Sequence, residues 1–281
     1  MNLSTLRCKG RIIDFLQPKV MGILNVTPDS FYDGGRYASR DAQLRRAEQL
    51  LRDGATWVDV GGMSSRPGAD ELDAEEEMAR ILPLIEALCK EFPEILISID
   101  TYRAKVAEAA VQAGAAMVND ISAGVLDETM LPTVARLGVP YVMMHLKGRP
   151  RTMQHNPHYE NVGLEVVQYF VQRVALARRY GIVDLVIDPG FGFGKSTDHN
   201  YTLLKQLPDF ALFSLPLLVG VSRKRMVYGL LQTTPEKALN GTTILHTVAL
   251  LNGANILRVH DVKEAMEVIT LMDYYKNMSA K

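Results

Sequence analysis

Asn25, Asp59, Asp100, Asn119, His145, Asp188, Ser222 and Arg258 share one trait: each closes a short apolar run. The runs are Val20 to Leu24, Thr56 to Val58, Ile95 to Ile99, Ala115 to Val118, Val139 to Met144, Leu185 to Ile187, Leu217 to Val221 and Asn255 to Leu257. Carboxylates accept hydrogen bonds, amides donate and accept, and a guanidinium donates from a rigid fork. Gathered in one place, such groups can hold a polar, charged small molecule. Any single Asp, Asn or Ser has a plainer use as a helix cap. Capping requires neither Arg258 nor His145, and eight polar ends in succession imply one shared site.

Apolar runs this short read as strands buried on both faces, as in a parallel sheet. Helical periods separate them: Leu44, Ala47 and Leu51; Val106, Ala110 and Ala113; Val162, Val166, Phe170 and Val174. Asp73 with Glu76 and Asp261 with Glu264 have capping-box spacing, and Thr234 before Pro235 reads as an N-cap. Strand and helix alternate eight times over 281 residues, about 35 residues per unit, the size of a βα repeat in a (β/α)8 TIM barrel. The expected fold is therefore an α/β barrel forming a single domain over 1–281, since no linker composition interrupts the series. Residues 1–18 are its N-terminal extension, in which 3 to 17 form a hairpin closing the barrel bottom. A doubly wound open sheet is the rival, but it needs no such regular count. In a barrel all eight polar ends face the mouth where active sites lie.

Composition agrees. At 47% hydrophobic and 22% charged the chain can bury a full core. No run of about 18 apolar residues is present, so no membrane span is expected, and the first residues lack a secretory pattern. Cys8 and Cys89 have no paired spacing, which fits a reducing cytoplasm. A net charge of -1 predicts no general attraction to nucleic acid, so an anion must be held by a few local cations.

Four longer stretches are specific: Met21-Gly-Ile-Leu-Asn-Val-Thr-Pro-Asp-Ser-Phe, Asp59-Val-Gly-Gly-Met-Ser-Ser-Arg-Pro-Gly, Asp188-Pro-Gly-Phe-Gly-Phe-Gly-Lys and Ser222-Arg-Lys. With Ser98-Ile-Asp-Thr, Asn119-Asp-Ile and Arg258-Val-His they resemble the dihydropteroate synthases, in order from about Val20 to Asp261. That resemblance implies a TIM barrel. It also implies the joining of 6-hydroxymethyl-7,8-dihydropterin diphosphate to 4-aminobenzoate, with release of pyrophosphate and formation of 7,8-dihydropteroate. It assigns Asp188 to a two-pronged clamp on the pterin edge, helped by Asn119 and Lys224, with Asp100 beside the reacting side of the ring. Met144 and Phe193 pack on the ring faces, and Gly220 and Ser222 also line the substrate site. Arg66, Arg258 and His260 bind the diphosphate, with Asn25 as ligand to Mg2+. Asp100, Asp188, Lys224 and Arg258 are the expected catalytic set. Phe31, Ser65 and Pro67 line the aminobenzoate pocket. Asp59 orients Asn25 or Arg66, or is simply structural, and His145 has no assigned role. The family also implies a homodimer, with the helices near Pro235 to Leu251 and Val262 to Tyr275 apolar enough to pair.

Departures from the family pattern fall at Met63, Ser65, Tyr32 and Arg225, and bear on aminobenzoate recognition rather than on the reaction. Arg225 either pairs with the aminobenzoate carboxylate or points to solvent. Other motifs fail. Gly190 to Ser196 ends like a nucleotide-binding P-loop but has Pro189 where that motif needs Gly. His155, His158 and His199 lack metal-ligand spacing, and His246 reads as a satisfied packing residue. Methyltransferases that bind methyltetrahydrofolate share the barrel but have no diphosphate to hold. A pterin-binding paralogue without turnover would have lost one of Asn25, Asp100, Asp188, Lys224 or Arg258, and all five are present.

Overall fold

The computed structural model describes residues 5–26, 36–62 and 72–278. The chain opens with a hairpin of β1 (Thr5–Cys8) and β2 (Arg11–Asp14), paired antiparallel. Lys9 and Gly10 join the strands with positive φ at both, the geometry a two-residue hairpin loop requires. Eight strands follow: β3 (Lys19–Asn25), β4 (Trp57–Gly61), β5 (Ile97–Asp100), β6 (Met117–Asp120), β7 (Tyr141–Met144), β8 (Leu185–Asp188), β9 (Leu218–Val219) and β10 (Ile256–Val259). Each pairs parallel to its neighbour, and β10 returns to β3. A parallel bridge between Ile187 and Leu217 closes the ring between β8 and β9, so the expected TIM barrel is present, hairpin included.

Helices fill the connections: α1 (Arg36–Arg52), α2 (Ala74–Glu91), α3 (Ala104–Gln112), α4 (Met130–Leu137), α5 (Val162–Arg179), α6 (Thr197–Lys205), the short α7 (Arg225–Tyr228), α8 (Leu239–Leu251) and α9 (Val262–Asn277). Start signals have mixed fates. Asp73 caps α2 by accepting from Glu76 N at 2.8 Å. Asp261 makes no cap bond at α9, because its carboxylate is taken by Arg223 at 2.7 and 2.8 Å. Thr234 and Pro235 open only a 3-10 turn, Pro235–Lys237, with no side-chain cap, and α8 begins two residues later. His199, without a metal role, completes the capping box of α6 with Ser196.

Strand side chains alternate between the two faces, and the alternation sorts this barrel into layers. Val20, Leu24, Val58, Val60, Ile97, Ile99, Val118, Tyr141, Met143, Leu185, Ile187, Val219, Leu257 and Val259 point outward. They pack in one core with helix residues such as Leu50, Ile81, Val106 and Phe170. Met21, Trp57, Leu96, Met117, Val142, Val186, Leu218 and Ile256 form a separate apolar layer inside the barrel, plugged from below by Leu6 and Cys8 of the hairpin. Two residues further along each strand, on the same inward face, stand Ile23, Asp59, Ser98, Asn119, Met144, Asp188, Gly220 and Arg258, with Asn25 and Asp100 one step higher.

Candidate active site

The upper layer is organised around one guanidinium. Arg258 Nε donates to Asp59 at 2.6 Å and its Nη2 to Asp100 at 2.5 Å. Asn119 Nδ2 also donates to Asp59, at 3.2 and 3.4 Å, which leaves its amide oxygen for another partner. Asp59 is fully buried and holds Arg258 and Asn119, in keeping with the structural reading that stood beside a role in orienting Asn25 or Arg66. One cation cannot neutralise two carboxylates. Burial lifts Asp100 to about 7 against the pull of Arg258, and Asp59 pushes it further up.

Beyond β8 the chain turns through Pro189-Gly-Phe-Gly-Phe-Gly-Lys195. Gly190 has φ +73, and a Cβ there would lie 2.0 Å from the His145 carbonyl, so only glycine fits. Its amide donates to Asp188 Oδ1 at 2.8 Å. Among the described residues Oδ2 of Asp188 has no hydrogen-bond partner and is left for a ligand. Burial raises Asp188, opposed first by the Lys224 charge and then by the Gly190 amide. Lys224 lies on the other side of this loop, with Nζ donating to Phe191 O at 2.6 Å and standing 4.7 Å from the Phe193 ring centre. Burial lowers it to about 8. Phe193 and Met144 share a small apolar cluster with Ile121 and Met153 at the barrel mouth. Gly220 keeps this space open: a Cβ there would point at Lys224 Nζ and Arg258 Cβ, 3.6 and 3.9 Å away.

The structure thus brings Asp100, Asn119, Met144, Asp188, Phe193, Gly220, Lys224 and Arg258 into one mouth. Ser222 lies three residues past the short β9, and its hydroxyl accepts from His260 N at 3.2 Å, joining the two loops that follow β9 and β10. Asn25 is exposed at the end of β3, and its amide has no hydrogen-bond partner among the described residues. Among those residues no group of His, Cys, Asp or Glu could hold a metal unaided. A cation that takes one or two protein oxygens and completes its shell with phosphate and water still fits Asn25. Phe31, Tyr32, Met63, Ser65, Arg66 and Pro67 lie outside the described residues.

Two features escaped sequence reading. Lys195 is buried, with its ammonium 2.9 Å from His145 Nδ1. Its position after three alternating glycines was visible, but only as a failed P-loop. Arg223, at φ +53, forks onto Asp261 and also donates to Pro235 O and Glu236 O, pinning the loop that carries Lys224 to the one after Arg258. His246 is buried as expected, but its Nε2 has no hydrogen-bond partner among the described residues, where a satisfied ring was expected.

Comparison with known proteins adds an independent line. The family described as pterin binding enzyme matches residues 21–260. The dihydropteroate synthase of Escherichia coli (strain K12) is 44% identical over 275 residues, covering 97% of this chain and 96% of that one. The Xanthomonas albilineans dihydropteroate synthase solved with 4-aminobenzoic acid superposes with a TM-score of 0.91 at 41% identity, over 99% of this chain and 100% of that one. The Yersinia pestis enzyme in a sulfonamide drug complex gives the same TM-score, 0.91, at 41% identity over 98% of this chain and 100% of its own.

Proposed function

The chain belongs to the dihydropteroate synthase family of pterin-binding enzymes, and from that membership we propose how its barrel mouth performs the family's reaction. The protein is a transferase of folate synthesis. It condenses 6-hydroxymethyl-7,8-dihydropterin diphosphate with 4-aminobenzoate to give 7,8-dihydropteroate and pyrophosphate, at a site of the class that sulfonamides occupy. The observation that carries the site assignment is the buried Asp188, with one oxygen held by Gly190 N and the other open beside Asn119, Met144, Phe193 and Lys224. A carboxylate so placed accepts from the pterin N3-H and 2-amino group in two charge-assisted bonds. The Asn119 amide oxygen accepts from the same edge, and Lys224 turns from Phe191 O to the ring carbonyl or N5. Met144 and Phe193 close on the ring faces.

The pterin methylene then loses pyrophosphate before the amine attacks. The electron-rich dihydropterin spreads the positive charge over its ring, and Asp100 and Asp188 stabilise it electrostatically. Arg258, whose Nη1 is uncommitted among the described residues, meets the departing charge together with Arg66 and His260. Asn25 would hold Mg2+, which would supply positive charge to the leaving diphosphate. The neutral arylamine needs no strong base to attack the methylene, its surplus proton leaving to solvent, and Phe31, Ser65 and Pro67 position it. Arg225, exposed at the start of α7, is available to its carboxylate.

We place the protein in the cytoplasm; no helix among the described residues is long and apolar enough to cross a membrane. A homodimer through α8 and α9 is supported by Ile244, Leu251, Leu271, Tyr274 and Tyr275, which are more than half exposed on these two packed helices. The decisive assay follows pyrophosphate release from the pterin diphosphate with Mg2+, with and without 4-aminobenzoate. Slow release without the amine, and dihydropteroate only with it, is the expected result. Release strictly dependent on the amine would overturn the order of steps, and no release under either condition would overturn the enzyme reading.

A further inference from the structure

Lys195 takes no part in the chemistry of the proposed reaction, yet it is 3% exposed and its ammonium has no carboxylate in contact among the described residues. Its surroundings use every proton it has. Nζ lies 2.9 Å from His145 Nδ1, 2.9 Å from Gly190 O and 3.1 Å from Phe193 O, with His145 O further off at 3.5 Å. In its ammonium form Lys195 can only donate, and His145 then accepts at Nδ1 and carries its proton on Nε2. The His145 ring is fixed in turn by the edge of Tyr169, at 4.8 Å between ring centres. The cation therefore ties the loop after β8 to the exit of β7.

The carbonyls it captures belong to residues that matter to the pterin. Gly190 is the residue whose amide orients Asp188 Oδ1. Phe193 carries the ring that faces the pterin pocket, and its amide donates back to Gly190 O at 3.1 Å. Lys224 grips the same loop from the opposite side through Phe191 O. The loop is thus held between two amino groups, that of the half-buried Lys224, reserved for the ligand, and that of the buried Lys195, engaged within the protein. We propose that Lys195 is a positioning residue for the pterin. From within the cage of His145, Gly190 and Phe193 it holds Asp188 and Phe193 in their binding geometry and adds positive charge behind the Asp188 carboxylate. The inference rests on Asp188 being the pterin clamp. Burying an ammonium without a partner carboxylate is costly; Lys195 is brought to about 7 by burial, with Asp188 the main influence holding it up. A role confined to stability would be served better by an apolar side chain of the same length.

The test compares Lys195→Met, Asp188→Asn and the unaltered protein by fluorescence titration with 6-hydroxymethylpterin, by steady-state kinetics and by thermal melting. Losing hydrogen bonds from a charged group weakens binding about tenfold to a hundredfold. Lys195→Met should raise the pterin Kd and the KM for the pterin diphosphate by that factor. The KM for 4-aminobenzoate should stay put, and the melting temperature of the free protein should hold or rise. The pH dependence supplies a second signature. Asp188 is faced by Lys224, Arg258 and Lys195, and Lys195 by His145 and, at longer range, by Asp188, Lys224 and Lys147. Removing the Lys195 charge should make Asp188 easier to protonate and shift the acid limb of pterin binding to higher pH. Unchanged pterin affinity in Lys195→Met, with binding lost in Asp188→Asn, would overturn the inference and leave the clamp standing. Normal binding by Asp188→Asn would overturn the clamp, and the inference with it. Should Lys195→Met not fold, His145→Leu removes one acceptor from the cage and should cost about threefold to tenfold in pterin affinity; no change there would equally overturn the proposal.

Discussion

The barrel interior holds two layers built by the same strands, two residues apart. In the lower one Met21, Trp57, Leu96, Met117, Val142, Val186, Leu218 and Ile256 pack against the hairpin. In the upper one Asp59, Asn119, Asp188 and Arg258 are buried or nearly so, with Ser98 Oγ left without a hydrogen-bond partner among the described residues. One step of the β period therefore separates a layer that stabilises the fold from a layer that costs stability and holds a ligand. Buried charges are tolerated in the upper layer because Arg258 bridges Asp59 and Asp100 and because the Gly190 amide meets Asp188. The lower layer has no such bookkeeping to do, since apolar burial is favourable residue by residue.

Mutations in one layer should therefore leave the other's property alone. The largest effect is expected from Asp188→Asn. Losing two charge-assisted bonds of about 1.5–3 kcal/mol each should lower kcat/KM for the pterin diphosphate about 10²- to 10⁴-fold. Its melting temperature should hold or rise, because a buried carboxylate is removed. Trp57→Ala, two residues before Asp59, should do the reverse. A stability loss of about 3–5 kcal/mol in denaturant titration should leave KM for both substrates nearly unchanged in the folded fraction. A Trp57 variant that lost pterin affinity at full stability would break the distinction between layers.

A smaller effect separates the layers by pH. Asp100 must be ionised to stabilise the pterin cation, and Lys224 must be protonated to donate. Below about 7 the first condition fails and above about 8 the second does. The profile of kcat/KM for the pterin diphosphate should then be a narrow bell between those values. Asp100→Asn should lower its height and remove the Asp100 contribution to the acid limb. Stability has the opposite sign on that side: because Asp100 is raised above its unfolded value, its contribution shrinks as pH climbs towards about 7. Asp100→Asn should accordingly flatten the fall in melting temperature across that range.

The strands and the polar residues that close them were legible in the sequence, because buried parallel strands appear as apolar runs; the division of the interior into two layers was not, and at β7 the period of two turns Met144 inward and leaves the closing His145 against Lys195 and Tyr169. Boundaries were less legible. The run from Leu217 to Val221 yields only Leu218–Val219 as strand, since the chain must turn early to place Ser222 against His260 N. Partner choice was not legible. Arg258 was read as a cation for the diphosphate, and its ion pairs with Asp59 and Asp100 were not visible, since those residues are distant in sequence and adjacent only once the barrel closes. Asp261 carried a capping signal three residues before Glu264, and a guanidinium fork from Arg223 outcompeted a single backbone amide for it. Lys195 was hidden because its meaning lies in loop geometry: positive φ at Gly190, Gly192 and Gly194 accompanies inward-turned carbonyls that no spacing rule reveals.

The most direct measurement is a crystal structure of the protein with 6-hydroxymethylpterin bound. The pterin should lie above Val186 and Met117, between Met144 and Phe193. Its N3-H and 2-amino group should be within about 2.7–2.9 Å of the Asp188 carboxylate, with Lys224 released from Phe191 O. A pterin bound elsewhere, or held in this mouth with Asp188 still unengaged, would contradict the account.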